Sequence, residues 1–230
     1  MNAMILGGFL FISVSAGGFF AWIVSKLFQQ TTQGLSLLCG GFLVGLLVLD
    51  IIPTTFQMYQ TLGILLGALI GYLLFQVLRQ LSHPTTTHTP SLFLLTIALL
   101  LHTIPLSMTI GNTLGNSSFG ITITTSTILH HLPEGFALTT ALLSQGKQLW
   151  GLLLVFISLS MCFSFFIWLG HYVHLTNQAQ SILLGISISL IATTSISEFI
   201  VHNRKALPLR SFLTYILMGD LLSWLFHFWV

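Results

Sequence analysis

The sequence predicts an all-α, polytopic membrane protein of eight transmembrane helices, folded as a single transmembrane domain over residues 1–230. Three observations carry that expectation. Charge is nearly absent: 6 Lys and Arg and 4 Asp and Glu make up 4% of the chain, where a soluble domain carries about a quarter. Apolar residues make up 54% of it, and the mean hydropathy is +0.97, a composition from which no water-facing surface can be built. Apolar runs also recur at about the 20-residue length that a spanning helix needs.

The first run, residues 4–27, ends at the polar stretch Lys26 to Gly34. It is long enough to span and has no charged segment before it, so no cleavable leader is expected. The second, 35–58, ends at Gln60-Thr61. The third, 62–80, carries Gly63, Gly67 and Gly71. That small-xxx-small face lets a neighbouring helix pack closely or slide. Arg79 to Pro90 is the longest polar loop and holds His83 and His88, either chance loop residues or a catch for ions leaving a pore. The fourth run is 91–113 and the fifth 119–144, parted by Gly115-Asn116-Ser117-Ser118. Ser144-Gln145-Gly146-Lys147 precedes the sixth, 148–169; Asn177-Gln178 opens the seventh, 178–201; and Asn203 to Pro208 precedes the eighth, 209–229.

Threading these spans puts Lys26, Arg79, Lys147, Arg204, Lys205 and Arg210 all on one side. The positive-inside rule makes that side cytoplasmic and both termini external, with a bacterial inner membrane as the expected location. The basic residues are scattered over the loops and suggest no nucleic-acid partner. Cys39 and Cys162 are isolated in apolar runs and have no zinc-finger spacing.

Charge within a bilayer is costly, so each intramembrane acid calls for a partner or a function. Glu134 lies mid-span in Leu129-His130-His131-Leu132-Pro133-Glu134-Gly135. On a helix His130 and Glu134 share a face, four residues apart. Pro133 withholds the hydrogen bond that the Leu129 carbonyl would receive. The fourth span repeats the pattern as Leu101-His102-Thr103-Ile104-Pro105. Side by side, the two spans would bring His102, His130 and Glu134 to one point. Two imidazoles and a carboxylate suit zinc, and also iron, manganese or cobalt. His131 points about 100° from His130 and reads as either a supporting or a packing residue. Asp50, before Pro53 near the outer end of the second span, reads as an entrance for metal or as an interfacial carboxylate. Glu198 and His202 fall at the cytoplasmic end of the seventh span, where interfacial solvation accounts for them; Asp220 in the last span has no assignment.

His130-His131-Leu132-Pro133-Glu134-Gly135 resembles the fifth-span signature of the ZIP family of zinc and iron transporters, commonly His-Asn-x-Pro-Glu-Gly. His102-Thr103-Ile104-Pro105 is similar to its fourth-span signature. Leu65 to Leu74 is similar to the third span, Gly41 to Pro53 to the second, and Ser197-Glu198 with His202-Asn203-Arg204 to the end of the seventh. The resemblance implies eight spans with both termini outside and metal uptake toward the cytoplasm by alternating access. It also implies a first metal position made by His102, His130 and Glu134, with His131 where the family often has Asn. The family's second position draws on residues that are here Thr103 and Leu106, on a sixth-span acid that Ser160-Met161-Cys162-Phe163 lacks, and on a seventh-span region that is here Thr193-Thr194-Ser195. A single-site transporter, a change of selectivity and a loss of activity all remain open from these departures.

The leading expectation is a divalent metal transporter, with zinc or another divalent ion as cargo and no enzymatic activity. Expected partners are the metal ion, the lipid bilayer and a second copy of the chain. Met108, Met161 and Cys162 would soften a pathway toward copper, although Met is common in membrane packing. Two alternatives stand beside the transporter: an intramembrane metal-dependent hydrolase, and a degenerate, non-transporting scaffold. The hydrolase needs an open metal position and a general base, yet the chain has no His-Glu-x-x-His and no Gly-x-Ser-x-Gly.

Overall fold

A computed structural model describes residues 3–28, 32–81, 92–113, 117–145, 149–173, 175–204 and 207–228; for some residues inside helices, His130 among them, it describes the backbone alone. His83, His88, Lys147 and Lys205 lie outside the described residues. All regular structure among the described residues is helical: α1 (Ala3–Phe28), α2 (Thr32–Leu46), α3 (Ile52–Met58), α4 (Thr61–Leu81), α5 (Leu92–Thr113), α6 (Ser117–Ser144), α7 (Leu149–Tyr172), α8 (Asn177–Thr194) and α9 (Leu209–His227). A π-helical turn, Leu47–Ile51, joins α2 to α3, and a second, Ser195–Val201, extends α8.

Each expected apolar run is thus one helical rod. Among the described residues, six rods are long and apolar enough to cross a membrane: α1, the rod from α2 to α3, α4, α5, α7, and α8 with its π turn. Outside this set stand α6, rich in Ser and Thr, and α9, with Arg210 and Asp220, neither of which is described in full.

Glycine explains how the rods pair. Gly17 on α1 lies against the Leu132 carbonyl of α6, and Gly135 on α6 against the Val14 carbonyl of α1, so close that a Cβ on either would overlap the neighbour's backbone. The same reciprocity joins α5 to α7 through Gly111 and Gly170, α4 to α8 through Gly67 and Gly185, and α2 to α9 through Gly41 and Gly219. With no Cβ in the way, the backbones meet directly, and dispersion replaces the hydrophobic drive that lipid does not supply. The expected face of Gly63, Gly67 and Gly71 is the α4 side of one such contact.

The contacts also set direction. Along α4, Gly63, Gly67 and Gly71 meet Ser181, Ile182 and Ile186 in turn, so α4 and α8 are parallel. Gly34, Gly41 and Gly45 meet Tyr215, Ile216 and Ser223, so α2 and α9 are parallel. The α1 and α6 helices are parallel as well: Ser13 donates to the Ile128 carbonyl, Gly17 meets Leu132 and Gly18 meets Thr139. In contrast, α1 and α7 are antiparallel, with Gly7 beside Ser160 and Ser164 and Gly18 beside Phe156.

The main core fills the space between α1, α2, α5, α6 and α7 with Leu6, Leu10, Leu95, Leu138, Leu159 and Phe163. The outward faces are apolar too, with Leu65, Leu69 and Leu73 on α4, Leu154, Met161 and Phe165 on α7, and Leu213, Leu217 and Leu221 on α9 all exposed. Exposed apolar surface on this scale belongs against hydrocarbon, where helices satisfy their own backbone. Trp150 and Tyr172 are exposed at opposite ends of α7, and the Lys26 ammonium sits 5.2 Å from the Trp22 ring near the end of α1. Amphipathic side chains are placed this way where apolar and polar surroundings meet.

Candidate metal centre

The two proline segments do converge. Both helices run on through their prolines, Pro105 in α5 and Pro133 in α6. Ser13 of α1 donates to the Ile128 carbonyl at 2.6 Å, one residue before the carbonyl that Pro133 leaves without its usual donor. Reciprocal glycines hold α6 on α1 and α5 on α7, which fixes the depth of the site-bearing turns.

Glu134 is the hub. Its Oε1 lies 2.9 Å from His102 Nε2, and its Oε2 lies 2.5 Å from His131 Nδ1. His102, His131 and Glu134 are all buried, at 1%, 0% and 0% exposure. One donor atom from each falls within 4.8 Å of the other two. Zinc bonds of about 2.0–2.1 Å in a tetrahedron separate ligand atoms by roughly 3.3 Å, so shifts on the order of 1 Å would turn this triangle into a coordination shell. The imidazole rings are 5.7 Å apart, and the Phe163 ring of α7 meets His131 edge-on at 5.8 Å. Phe163 thereby closes the site on one side with apolar surface.

Beside the expected His102 and Glu134 the group holds His131, which points away from His130 on the helix. Yet residues three apart on a helix also share a face, and His131 meets Glu134 in that way. Successive residues are about 100° apart, so Glu134 falls between the directions of His130 and His131. The His130 side chain lies outside the described residues.

The remaining candidates stand apart from this group; among the described residues, His102, His131 and Glu134 are the one cluster of three metal-ligating side chains. Asp50 is half-buried in the first π turn. Three residues later Pro53 offers no N–H to the helical ladder, and the Ile52 N–H reaches back five residues to the Leu47 carbonyl. Glu198 sits in the second π turn and is 7% exposed, so interfacial solvation does not account for it. Asp220 is exposed on α9. Thr103, at the position expected to have lost a second-site ligand, turns its hydroxyl onto the Leu99 carbonyl at 2.7 Å. Met161 is 68% exposed on the outer face of α7, which removes it from any internal pathway.

Sequence reasoning missed Ser187. Its Oγ lies 2.5 Å from His102 Nδ1, and it donates to the His102 carbonyl at 3.2 Å. A serine within an apolar helix carries no signal in the sequence; only the packing of α8 on α5 shows what it touches.

No protein-family model matches the chain, and no curated protein matches it.

Proposed function

We propose that the protein carries a divalent metal ion, zinc in the first place, across the membrane through one intramembrane site made by His102, His131 and Glu134. The observation that carries this reading is the meeting of two imidazoles and a carboxylate, fully buried, on two neighbouring helices. Buried ionisable groups in such surroundings are expensive and mark ion pathways more often than packing. The donor set suits zinc and also iron, manganese and cobalt. The likeness to ZIP transporters in the Pro133-Glu134-Gly135 segment supports the same reading and suggests uptake toward the cytoplasm.

The reading includes eight crossings, α6 and α9 among them; His131, Glu134, Thr139 and Thr140 of α6 and Ser223 of α9 are buried against neighbouring helices. Helix direction supports it. In a chain that crosses eight times, the first and fifth rods, the second and eighth, and the third and seventh must run the same way. The first and sixth must run oppositely. The glycine contacts give those four relations. Basic loops then share one side, the cytoplasm by the positive-inside rule, and both termini lie outside.

A hydrolase is less well supported, because Glu134 already contacts both imidazoles and is not left over as a separate general base. A non-transporting scaffold would have little use for three buried ligands. The test is zinc accumulation in cells expressing the chain, Glu134→Ala or His131→Ala at equal membrane levels. The wild type should accumulate zinc and both variants should fall to the level of empty cells. Uptake unchanged in both variants would defeat the reading.

A further inference from the structure

We propose that Ser187 is a positioning residue that keeps a proton of His102 on Nδ1, so that Nε2, on the Glu134 side of the ring, is the nitrogen an incoming cation takes. This rests on the reading of His102 as a metal ligand. Ser187 Oγ makes two contacts with His102: 2.5 Å to Nδ1 and 3.2 Å to the main-chain carbonyl. A carbonyl can only accept, so the single hydroxyl proton of Ser187 goes there. The other contact is then satisfied only when Nδ1–H donates to the serine oxygen. Were the hydroxyl to donate to Nδ1 instead, two bare acceptors would face each other at 3.2 Å in a buried site, a costly arrangement.

The placement fits that role. Ser187 is 3% exposed, His102 1%, so no bulk water competes for the bond. Nε2, on the other side of the ring, shares a proton with the Glu134 carboxylate at 2.9 Å, and a cation that binds there displaces that proton. Ser187 reaches His102 from α8, a helix paired with α4 rather than with the α1, α6 and α7 helices that surround the site. The bond therefore ties the ligand to a second helix pair. Acceptors that fix the tautomer of a ligating imidazole are worth roughly 10–100-fold in metal affinity.

The test uses the full chain in nanodiscs, with zinc alone as the probe. Nitrogen-15 spectra of histidine-labelled protein, with the His102 signals assigned by their loss in His102→Gln, report which ring nitrogen is protonated. The wild type should show Nδ1 protonated both without zinc and with it. Ser187→Ala should lose roughly 10–100-fold in zinc affinity, and Ser187→Thr, which keeps the hydroxyl, should recover most of it. A bare Nδ1 in the wild type overturns the proposal whatever the variants do. So does Ser187→Ala with wild-type affinity, or Ser187→Thr as weak as the alanine variant. Absence of zinc binding by the wild type would instead strike the metal reading, and the spectra would still report on the tautomer.

Discussion

At the residue scale, the site follows from how three side chains share two helical turns. Glu134 lies between the directions of its two preceding histidines, and the structure shows the His131 imidazole on its carboxylate. The Pro-Glu-Gly segment and the paired Leu-His-x-x-Pro motifs were legible in the sequence because charge and imidazole in an apolar run are conspicuous. The use of His131 was less legible, since helical spacing of three and of four both bring side chains together. Ser187 was not legible at all, because its role comes from a contact between residues 85 positions apart. Replacing Glu134 with Gln keeps the shape and removes the charge. Zinc affinity should fall by roughly 100-fold or more, beyond the loss typical of a supporting residue, as measured by competition with a fluorescent chelator. A drop of less than threefold would show that the carboxylate is no ligand. Zinc and protons compete for the same imidazole nitrogens, so acidification must weaken zinc binding. The same competition assay run from neutral toward pH 5 should show affinity falling steadily; a flat profile would exclude imidazole ligands.

At the element scale, what holds the rods is backbone approach through glycine. Only one of the four glycine seams was read from the sequence, the one on α4, because Gly63, Gly67 and Gly71 recur at a helical interval there. The α2 seam repeats that interval at Gly41 and Gly45 and was not read; the remaining two set glycines against partners far along the chain, as Gly17 against Leu132. The first π turn had a visible cause in Pro53; the second contains neither Pro nor Gly, and nothing in its composition explains it. The seams make a sharp prediction. Gly67→Leu drives a side chain into the Ile182 carbonyl of α8, whereas Gly8 and Gly151 have nothing within 4 Å of a Cβ. Overpacking costs about 1–3 kcal/mol or more. Thermal unfolding in detergent should show Gly67→Leu clearly destabilised, with Gly8→Leu and Gly151→Leu close to wild type. Equal stability of all three would remove the seam from the account.

At the scale of the whole molecule, composition and run length were enough to read an all-helical membrane protein, because lipid leaves a chain few alternatives. The number of crossings is harder to read, since α6 and α9 dilute their apolar content with Ser, Thr, Arg210 and Asp220. Sidedness decides between counts. On a background without Cys39 and Cys162, a cysteine at Val173 should react with an impermeant maleimide from outside the cell if α6 crosses, and one at Arg204 only from inside. Val173→Cys reacting only from inside would mean that α6 does not cross.

The site itself is tested most directly by zinc stoichiometry and ligand identity in the purified chain. One zinc per chain is expected, with X-ray absorption showing nitrogen and oxygen neighbours that include two imidazoles, and with that signal lost in His102→Ala, His131→Ala and Glu134→Ala. A chain that takes up no divalent ion, or one whose bound zinc keeps the same spectrum in all three variants, would contradict the account.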